Sequence, residues 1–241
     1  MTEIHDGEEP RHASPRIAGF EALEATPRRA AMRRLAKEMR DVIEHLVSTT
    51  ATTRELEQAA DELEVIAAGF RRLPRGQTYE GFAEAANAGP EPFDDAERFA
   101  FFDHSPFIGA ANPMAPPMRL RHEGQRVVGE VTFGSAYEGP PGCVHGGYVA
   151  GAFDELLGAA QSLSGVQGMT ARLITNYRRP TPLHTPLMLE GRVDRIEGRK
   201  IFAVGTMRDA DMLTAEAEGL FVVMNSETFG AMVAARNAKE G

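Results

Sequence analysis

A carboxylate stands inside a predicted helix that is otherwise small and apolar. Residues 142–155 read Gly-Cys-Val-His-Gly-Gly-Tyr-Val-Ala-Gly-Ala-Phe-Asp-Glu, and Asp154 lies about two helical turns beyond the paired glycines. A carboxylate in such surroundings is either paired or used chemically. Because a lone helical aspartate is more often a solvated surface residue, the residues alone leave both interpretations open.

Gly146 and Gly147, at the predicted start of this helix, are suited to stabilise negative charge. The first backbone N–H groups of a helix have no intrahelical acceptor and lie at the positive end of the helix dipole. Since neither glycine has a Cβ, a carbonyl oxygen of a ligand can approach these groups closely. One short helix would then supply an oxyanion hole and a carboxylate nucleophile or base. Paired glycines before a helix are also common in simple turns.

The composition is that of an ordinary globular protein. Of 241 residues, 42% are hydrophobic and 25% are charged, which is enough apolar material for a core of its own. The net charge of −9 argues against nucleic acid as a partner. Cys143 is the single cysteine, which excludes an intramolecular disulfide and favours a cytoplasmic location. Residues 1–19 do not resemble a secretory signal, and no apolar run predicts a membrane span.

The chain divides into a helical first part and a strand-rich second part. Apolar residues at three- and four-residue steps predict two helices, and Thr52 followed by Glu55 fits a capping box at the start of the second. We predict a disordered tail over residues 1–19, a helical hairpin over 20–70, a linker over 71–98, the main domain over 99–228 and a tail over 229–241.

The first predicted helix is rich in basic residues, although the protein is acidic. We interpret this cluster as a solvated face rather than a contact to phosphate, nucleic acid or membrane. Each of the two helices also has one apolar stripe, which must pack on the main domain or on a partner subunit. The basic cluster consists of Arg28, Arg29, Arg33, Arg34, Lys37 and Arg40.

Six strand-like segments and one helix make up the predicted main domain. Gly124 and the pair Glu197-Gly198 mark hairpin turns, and a proline-interrupted apolar segment over 101–118 predicts an ordered covering loop. The order of segments predicts an α+β domain with one helix against one antiparallel sheet. The strand-like segments are 118–122, 126–133, 169–177, 187–196, 200–208 and 213–224.

Several of these motifs together resemble a known family. Gly139-Pro140-Pro141-Gly142 is followed by His145-Gly146-Gly147, by six residues, and by Asp154; Met169-Thr170-Ala171 and Asn176-Tyr177-x-Arg179-Pro180 come next. The set resembles the hotdog-fold acyl-CoA thioesterases, most of all the branch with phenylacetate-pathway thioesterases and thioesterase superfamily members carrying an HGG-x6-D motif. The resemblance covers about residues 99–226.

The resemblance implies both an architecture and an assembly. The implied hotdog fold is a five- to six-stranded antiparallel sheet wrapped around a central helix, here preceded by the N-terminal helical pair. Similar proteins form a homodimer or a dimer of dimers, with the glycine loop and the acid at one site commonly supplied by different subunits. The implied substrate is an acyl-CoA, and no metal or redox cofactor is expected.

The resemblance also implies roles for individual residues. Gly146 N–H would polarise the thioester carbonyl, and Asp154 would attack that carbonyl or activate a water that does. Thr170 would orient the water or Asp154, and His145 would fix the glycine loop or form a hydrogen bond near the thioester. The remaining implied contacts are to the substrate: Gly147, Phe107, Asn176, Arg178 and Arg179.

We therefore predict an acyl-CoA thioesterase that acts on a medium- or long-chain acyl group. The resemblance implies an Asn or Gln in the loop before the glycines, as a polar contact to the thioester or the water. Since this loop has neither, Glu138 or Thr170 would have to position the water. Two rival functions remain: a non-catalytic acyl-CoA sensor that acts through the N-terminal helices, and a hotdog dehydratase or hydratase. The predicted acyl tunnel is lined by Phe107, Ile108, Met114, Phe153 and Leu157.

Overall fold

A computed structural model describes residues 27–73, 101–116, 118–166 and 168–223. The predicted tails over 1–19 and 229–241, and most of the predicted linker, lie outside these ranges. The first two elements are the helices α1 (Pro27–Ser48) and α2 (Thr53–Arg71). Six strands and one more helix follow: β1 (Arg119–Glu123), β2 (Arg126–Val131), α3 (Gly146–Gln161), β3 (Gly168–Tyr177), β4 (Leu187–Glu197), β5 (Lys200–Asp209) and β6 (Met212–Val223).

The six strands form one antiparallel sheet in the order β1-β2-β4-β5-β6-β3. Each strand begins and ends within two residues of its predicted segment, and buried and less buried residues alternate most clearly in β4 and β5. The β1–β2 and β4–β5 hairpins turn at Gly124 and Gly198, whose φ angles are 60° and 56°. Glycine adopts these left-handed angles without steric cost, so both predicted hairpin turns are confirmed.

Helix α3 packs on one face of the sheet and forms the centre of the core. Phe153, Leu156 and Leu157 of α3 are fully buried. The sheet has a glycine directly beneath the helix: a Cβ on Gly191 of β4 would lie 2.9 Å from the Leu156 Cγ. The missing side chain lets the helix approach the sheet closely. The predicted hotdog arrangement, an antiparallel sheet around one central helix after an N-terminal helical pair, is confirmed.

The proline-interrupted segment before β1 covers α3, as the sequence predicts. Apart from one short 3-10 helix at Phe101–His104, its described residues form turns and irregular backbone. The Phe107 ring lies directly over Gly151, where an added Cβ would be 2.0 Å from the Phe107 Cζ. The Ser105 hydroxyl donates to the Glu155 Oε2 at 3.3 Å. Ring packing and this hydrogen bond together hold the loop on α3.

Helix α1 docks on the main domain with a charged face. The buried Asp103 carboxylate accepts from the Arg29 Nε at 2.9 Å and from the Arg33 Nε at 2.8 Å. The Arg40 guanidinium donates to two backbone carbonyls of the covering loop. The prediction of a solvated basic face is therefore wrong for these three arginines. Their acceptors lie 70 to 74 residues away along the chain, beyond the reach of any local pattern.

Glu44, near the end of α1, holds the segment that precedes α3. Its carboxylate accepts from the backbone N–H groups of Ser135 at 2.9 Å and Ala136 at 3.3 Å. Partial burial raises the pKa of Glu44, but the hydrogen bonds outweigh it and hold this pKa below its ordinary value. The contact therefore contributes its full stabilisation at pH values above the ordinary pKa of glutamate. This stabilisation is lost as the pH falls through the lowered pKa of Glu44.

Helix α2 makes little contact with the other elements that the structure describes. Its predicted capping box is present, since the Glu55 N–H donates to the Thr52 Oγ1 and the Thr52 N–H donates to the Glu55 Oε2. None of its side chains is buried, and it makes no extensive contact with α1. In a single chain, the apolar stripe of α2 is therefore open to solvent.

Candidate functional site

The glycine segment forms the first turn of α3. His145 is the N-cap, and its Nδ1 accepts from the Gly147 N–H at 3.0 Å. A neutral His145 must then carry its proton on Nε2. In the part of the chain that the structure describes, the Gly146 N–H has no acceptor. Of the two glycines, Gly146 thus keeps a donor at the positive end of the helix.

The loop before His145 is held by its own contacts. Gly142 has a φ of 73°, a left-handed angle that suits glycine, and its N–H donates to the Glu138 Oε1 at 2.6 Å. The His145 N–H donates to the Tyr137 carbonyl at 2.8 Å. Glu138, one of two residues that the sequence offers for positioning water, thus binds the loop backbone instead.

Tyr177, the last residue of β3, reaches the same first turn of α3. Its hydroxyl donates to the Gly146 carbonyl oxygen at 2.8 Å. The ring lies so close that a Cβ on Gly146 would be 3.2 Å from the Tyr177 Oη. Sequence reasoning missed this contact, although Tyr177 belongs to the motif, because the contact depends on how β3 runs back along α3.

Asp154 and Thr170 form a hydrogen-bonded pair two turns further along α3. The Thr170 Oγ1 donates to the Asp154 Oδ1 at 2.9 Å, and both side chains are exposed in the single chain. The pairing of β3 with β6 is irregular between Thr170 and Arg172, and such a bulge re-aims a side chain. The threonine hydroxyl restricts the rotation of the carboxylate, so Asp154 has a defined orientation.

The Gly146 N–H and the Asp154 carboxylate lie far apart within one chain. Asp154 lies eight positions after Gly146 in the same helix, which corresponds to about 12 Å along the helix axis. A nucleophile and an oxyanion donor must both lie about 3 Å from the same reacting group. The two groups of a single chain therefore do not form one complete site.

Comparison with known proteins identifies the family. The family model described as "Thioesterase superfamily" matches residues 141–216, which include the glycine turn, Asp154, Thr170 and Tyr177. A crystal structure of a thioesterase superfamily protein is 35% identical, with a TM-score of 0.68; the match covers 79% of this chain and 94% of that one. This chain belongs to the thioesterase superfamily.

The curated relatives within the thioesterase superfamily include acyl-coenzyme A thioesterases. THEM4 from Xenopus laevis is 40% identical over 91 residues, which are 37% of this chain and 41% of that protein. THEM4 from Bos taurus is 38% identical over 96 residues, which are 39% of each protein. The chain thus matches about two fifths of the length of these relatives.

The residues that the resemblance to thioesterases implies as substrate contacts lie in different parts of the structure. Phe107 lies on α3, with its ring centroid 6.4 Å from that of Tyr148, and Gly147 lies in the first turn. Asn176 is half-buried, and since neighbouring strand residues face opposite sides, it lies on the other face of β3 from Tyr177. The Arg178 guanidinium forms an ion pair with Glu216, and Arg179 is exposed.

The predicted tunnel residues are divided between core and surface in this thioesterase superfamily member. Phe153 and Leu157 are fully buried, Ile108 is buried, and Met114 is exposed. Within the described ranges, no group of three or more His, Cys, Asp or Glu residues is placed to hold a metal ion. None of the helices in these same ranges is both long and apolar enough to cross a membrane.

Proposed function

We propose that this chain is an acyl-CoA thioesterase, which hydrolyses an acyl-CoA to the free acid and CoA. The observation that carries the proposal is the exposed Asp154 carboxylate, oriented by the Thr170 hydroxyl at 2.9 Å. A thioester carbonyl is electrophilic and a thiolate is a good leaving group. A carboxylate and one oxyanion donor therefore suffice, without a Ser-His-Asp triad. The matched relatives named acyl-coenzyme A thioesterases support this activity.

In the proposed reaction, the Gly146 N–H binds the thioester carbonyl oxygen. Asp154 attacks the carbonyl carbon, or takes a proton from a water that attacks it. The resulting oxyanion is stabilised by the Gly146 N–H, and a donor of this kind is typically worth about 2.7–4 kcal/mol. Collapse of the intermediate breaks the C–S bond and releases CoA as a thiolate, which takes up a proton. If Asp154 itself attacks, water then hydrolyses the mixed anhydride, which releases the free acid and restores the carboxylate. His145 and Tyr177 act by holding the glycine turn in place.

The complete site belongs to a homodimer in this proposal. β3 is an edge strand of the sheet, and an edge strand can pair with a second chain. Thr170 lies beside Asp154 and Tyr177 beside Gly146, at opposite ends of β3. An antiparallel pairing of two β3 strands, centred near residues 173–174, would set Thr170 opposite the partner's Tyr177. Asp154 of one chain then meets the partner's Gly146.

Mixing two inactive variants tests this composite site. Asp154→Asn removes the acid, and Gly146→Val disturbs the glycine turn, since even a Cβ there meets the Tyr177 ring. After subunit exchange, a mixed dimer keeps one intact site, and we expect thiol release that neither variant gives alone. No recovery of activity in a demonstrated mixed dimer would contradict a site shared between chains.

The activity itself is tested by thiol release from a panel of acyl-CoAs, from C2 to C18 plus an aromatic one. We propose a medium- or long-chain acyl group, because the loop that covers α3 is apolar, with Phe107 and Ile108 packed on the core. The exposed Arg179 is the proposed contact for the CoA phosphates. Tight acyl-CoA binding without thiol release would instead favour a sensor, and a changed acyl group on an intact thioester would favour a hydratase or dehydratase.

Replacing Thr170 tests how much the orienting hydroxyl contributes. Hydrogen bonds to charged groups are worth about 1.5–3 kcal/mol, so we expect Thr170→Val to lower kcat by about 10- to 100-fold. Thr170→Ser keeps the hydroxyl and should recover most of this loss. The measurement is steady-state thiol release with KM determined separately. A loss that appears only in KM would show that Thr170 binds substrate rather than orients Asp154.

A further inference from the structure

Helix α2 has an apolar stripe with the spacing of a coiled-coil helix. Its members follow one another at alternating steps of three and four residues. None of the α2 side chains is buried. Because a helix of this length gains most of its stability from packing its apolar face, the uncovered stripe requires a partner. The α2 stripe consists of Leu56, Ala59, Leu63, Ile66 and Phe70.

Helix α1 has a matching stripe beside its docked face. The arginines that bind the main domain lie about 120° around the helix from this stripe. Docking through charged residues therefore leaves most of the stripe uncovered, and its last four members are 38–59% exposed. The α1 stripe consists of Met32, Leu35, Met39, Val42 and Leu46.

The two stripes are complementary in length and in charge. Each runs over fifteen residues, from Met32 to Leu46 and from Leu56 to Phe70, or about 21 Å along the helix. Outside the residues that dock on the main domain, α1 has three Arg and Lys residues against two Asp and Glu, whereas α2 has two against five. Pairing α1 with α1, or α2 with α2, would bring like net charges together. Pairing α1 with α2 brings opposite net charges together.

We propose that two copies of this chain assemble through these helices, with the α2 stripe of one copy packed on the α1 stripe of the other. The two helices of one chain do not pack side by side, so a second copy supplies the complement that each stripe lacks. A stable interface takes about 800 Å² from each partner, and two 21 Å helix faces are of that scale. This contact does not depend on the proposed enzymatic activity or on β3 pairing.

Disulfide trapping tests the contact between the two stripes. Met39 and Leu63 are the middle members of their stripes, so they face each other whether the helices pair parallel or antiparallel. In a Cys143→Ser background, we expect the double variant Met39→Cys, Leu63→Cys to form a covalent dimer on mild oxidation. Lys37 and Val65 are exposed positions on other sides of the same helices. The matched control Lys37→Cys, Val65→Cys should stay monomeric on a non-reducing gel.

Three results would overturn the proposal. A disulfide within one chain would show that α2 folds back on its own α1. A covalent dimer from Leu63→Cys alone, as strong as that from the double variant, would show α2 paired with α2. An absence of cross-linking in the purified protein would show that the stripes do not pair with a second copy of this chain.

Proteolysis of α2 gives a second readout that does not need cysteines. Trypsin sites at Arg54, Arg71 and Arg72 flank the stripe, and assembly should protect them. We expect Ile66→Glu, which places a charge in the contact, to accelerate cleavage by about tenfold or more. Val65→Glu adds the same charge outside the stripe and should leave the rate unchanged. Equal acceleration by both variants would contradict the contact.

Discussion

Replacing Asp154 with asparagine should lower kcat for thioester hydrolysis by about 10²- to 10⁴-fold, the usual contribution of a general base. The substitution preserves size, and the amide oxygen can still accept from the Thr170 hydroxyl. The loss would therefore report the missing charge rather than a displaced side chain. Thiol release with a saturating acyl-CoA measures the effect, and KM should change little because the substrate contacts remain.

Glu155 provides the matched control for this prediction. It is the next carboxylate on α3, but it accepts from the Ser105 hydroxyl instead of Thr170. Glu155→Gln should keep the activity within a few-fold of wild type. Since Asp154 is exposed in the single chain, Asp154→Asn should not change the urea midpoint appreciably. Equal losses of kcat in both variants would show that Asp154 is not the reacting acid.

Replacing Asp103 with alanine should destabilise the protein by about 3–5 kcal/mol, the usual cost of removing one partner from a buried ion pair. Asp103 is 2% exposed and accepts from both Arg29 and Arg33. Without this carboxylate, the docked face of α1 keeps its positive charge but loses the group that balances it. Urea unfolding followed by circular dichroism measures the loss of stability.

The exposed ion pair between Lys37 and Asp41 on the same helix is the control for Asp103. Its two charged atoms are 2.8 Å apart, but both side chains are more than half exposed. Solvent screens such pairs, so Asp41→Ala should leave the urea midpoint close to that of wild type. If Asp103→Ala behaved like Asp41→Ala, the docking of α1 would not depend on the buried carboxylate.

Local patterns in the sequence predict most of the sheet and the central helix. The alternation of apolar and polar residues sets the strand positions, and Gly124 and Gly198 mark two of the turns. Thr52 and Glu55 set the start of α2 through a capping box. These features depend on residues a few positions apart, and a single sequence contains that information in full.

Contacts between distant residues set the limit of prediction from this sequence. The sequence predicts Gly146 and Asp154 as site residues, yet the contact of the Tyr177 hydroxyl with the first turn of α3 emerges only once β3 is placed beside α3. The arginines of α1 have the pattern of a solvated face, and Asp103, which binds two of them, lies 70 and 74 residues away. A buried charge of this kind is visible only after the chain has folded.

The docking of α1 means that the part of the chain matched by the family model is not a separable module. A fragment cut at residues 141–216 would lose β2, leaving the β4 edge without its partner strand. A longer fragment starting at β1 would still lose the Glu44 carboxylate that accepts from Ser135 and Ala136. Grafting the segment from Ser135 to Asp154 into another hotdog scaffold would therefore also have to supply the Glu44 contact that α1 provides here.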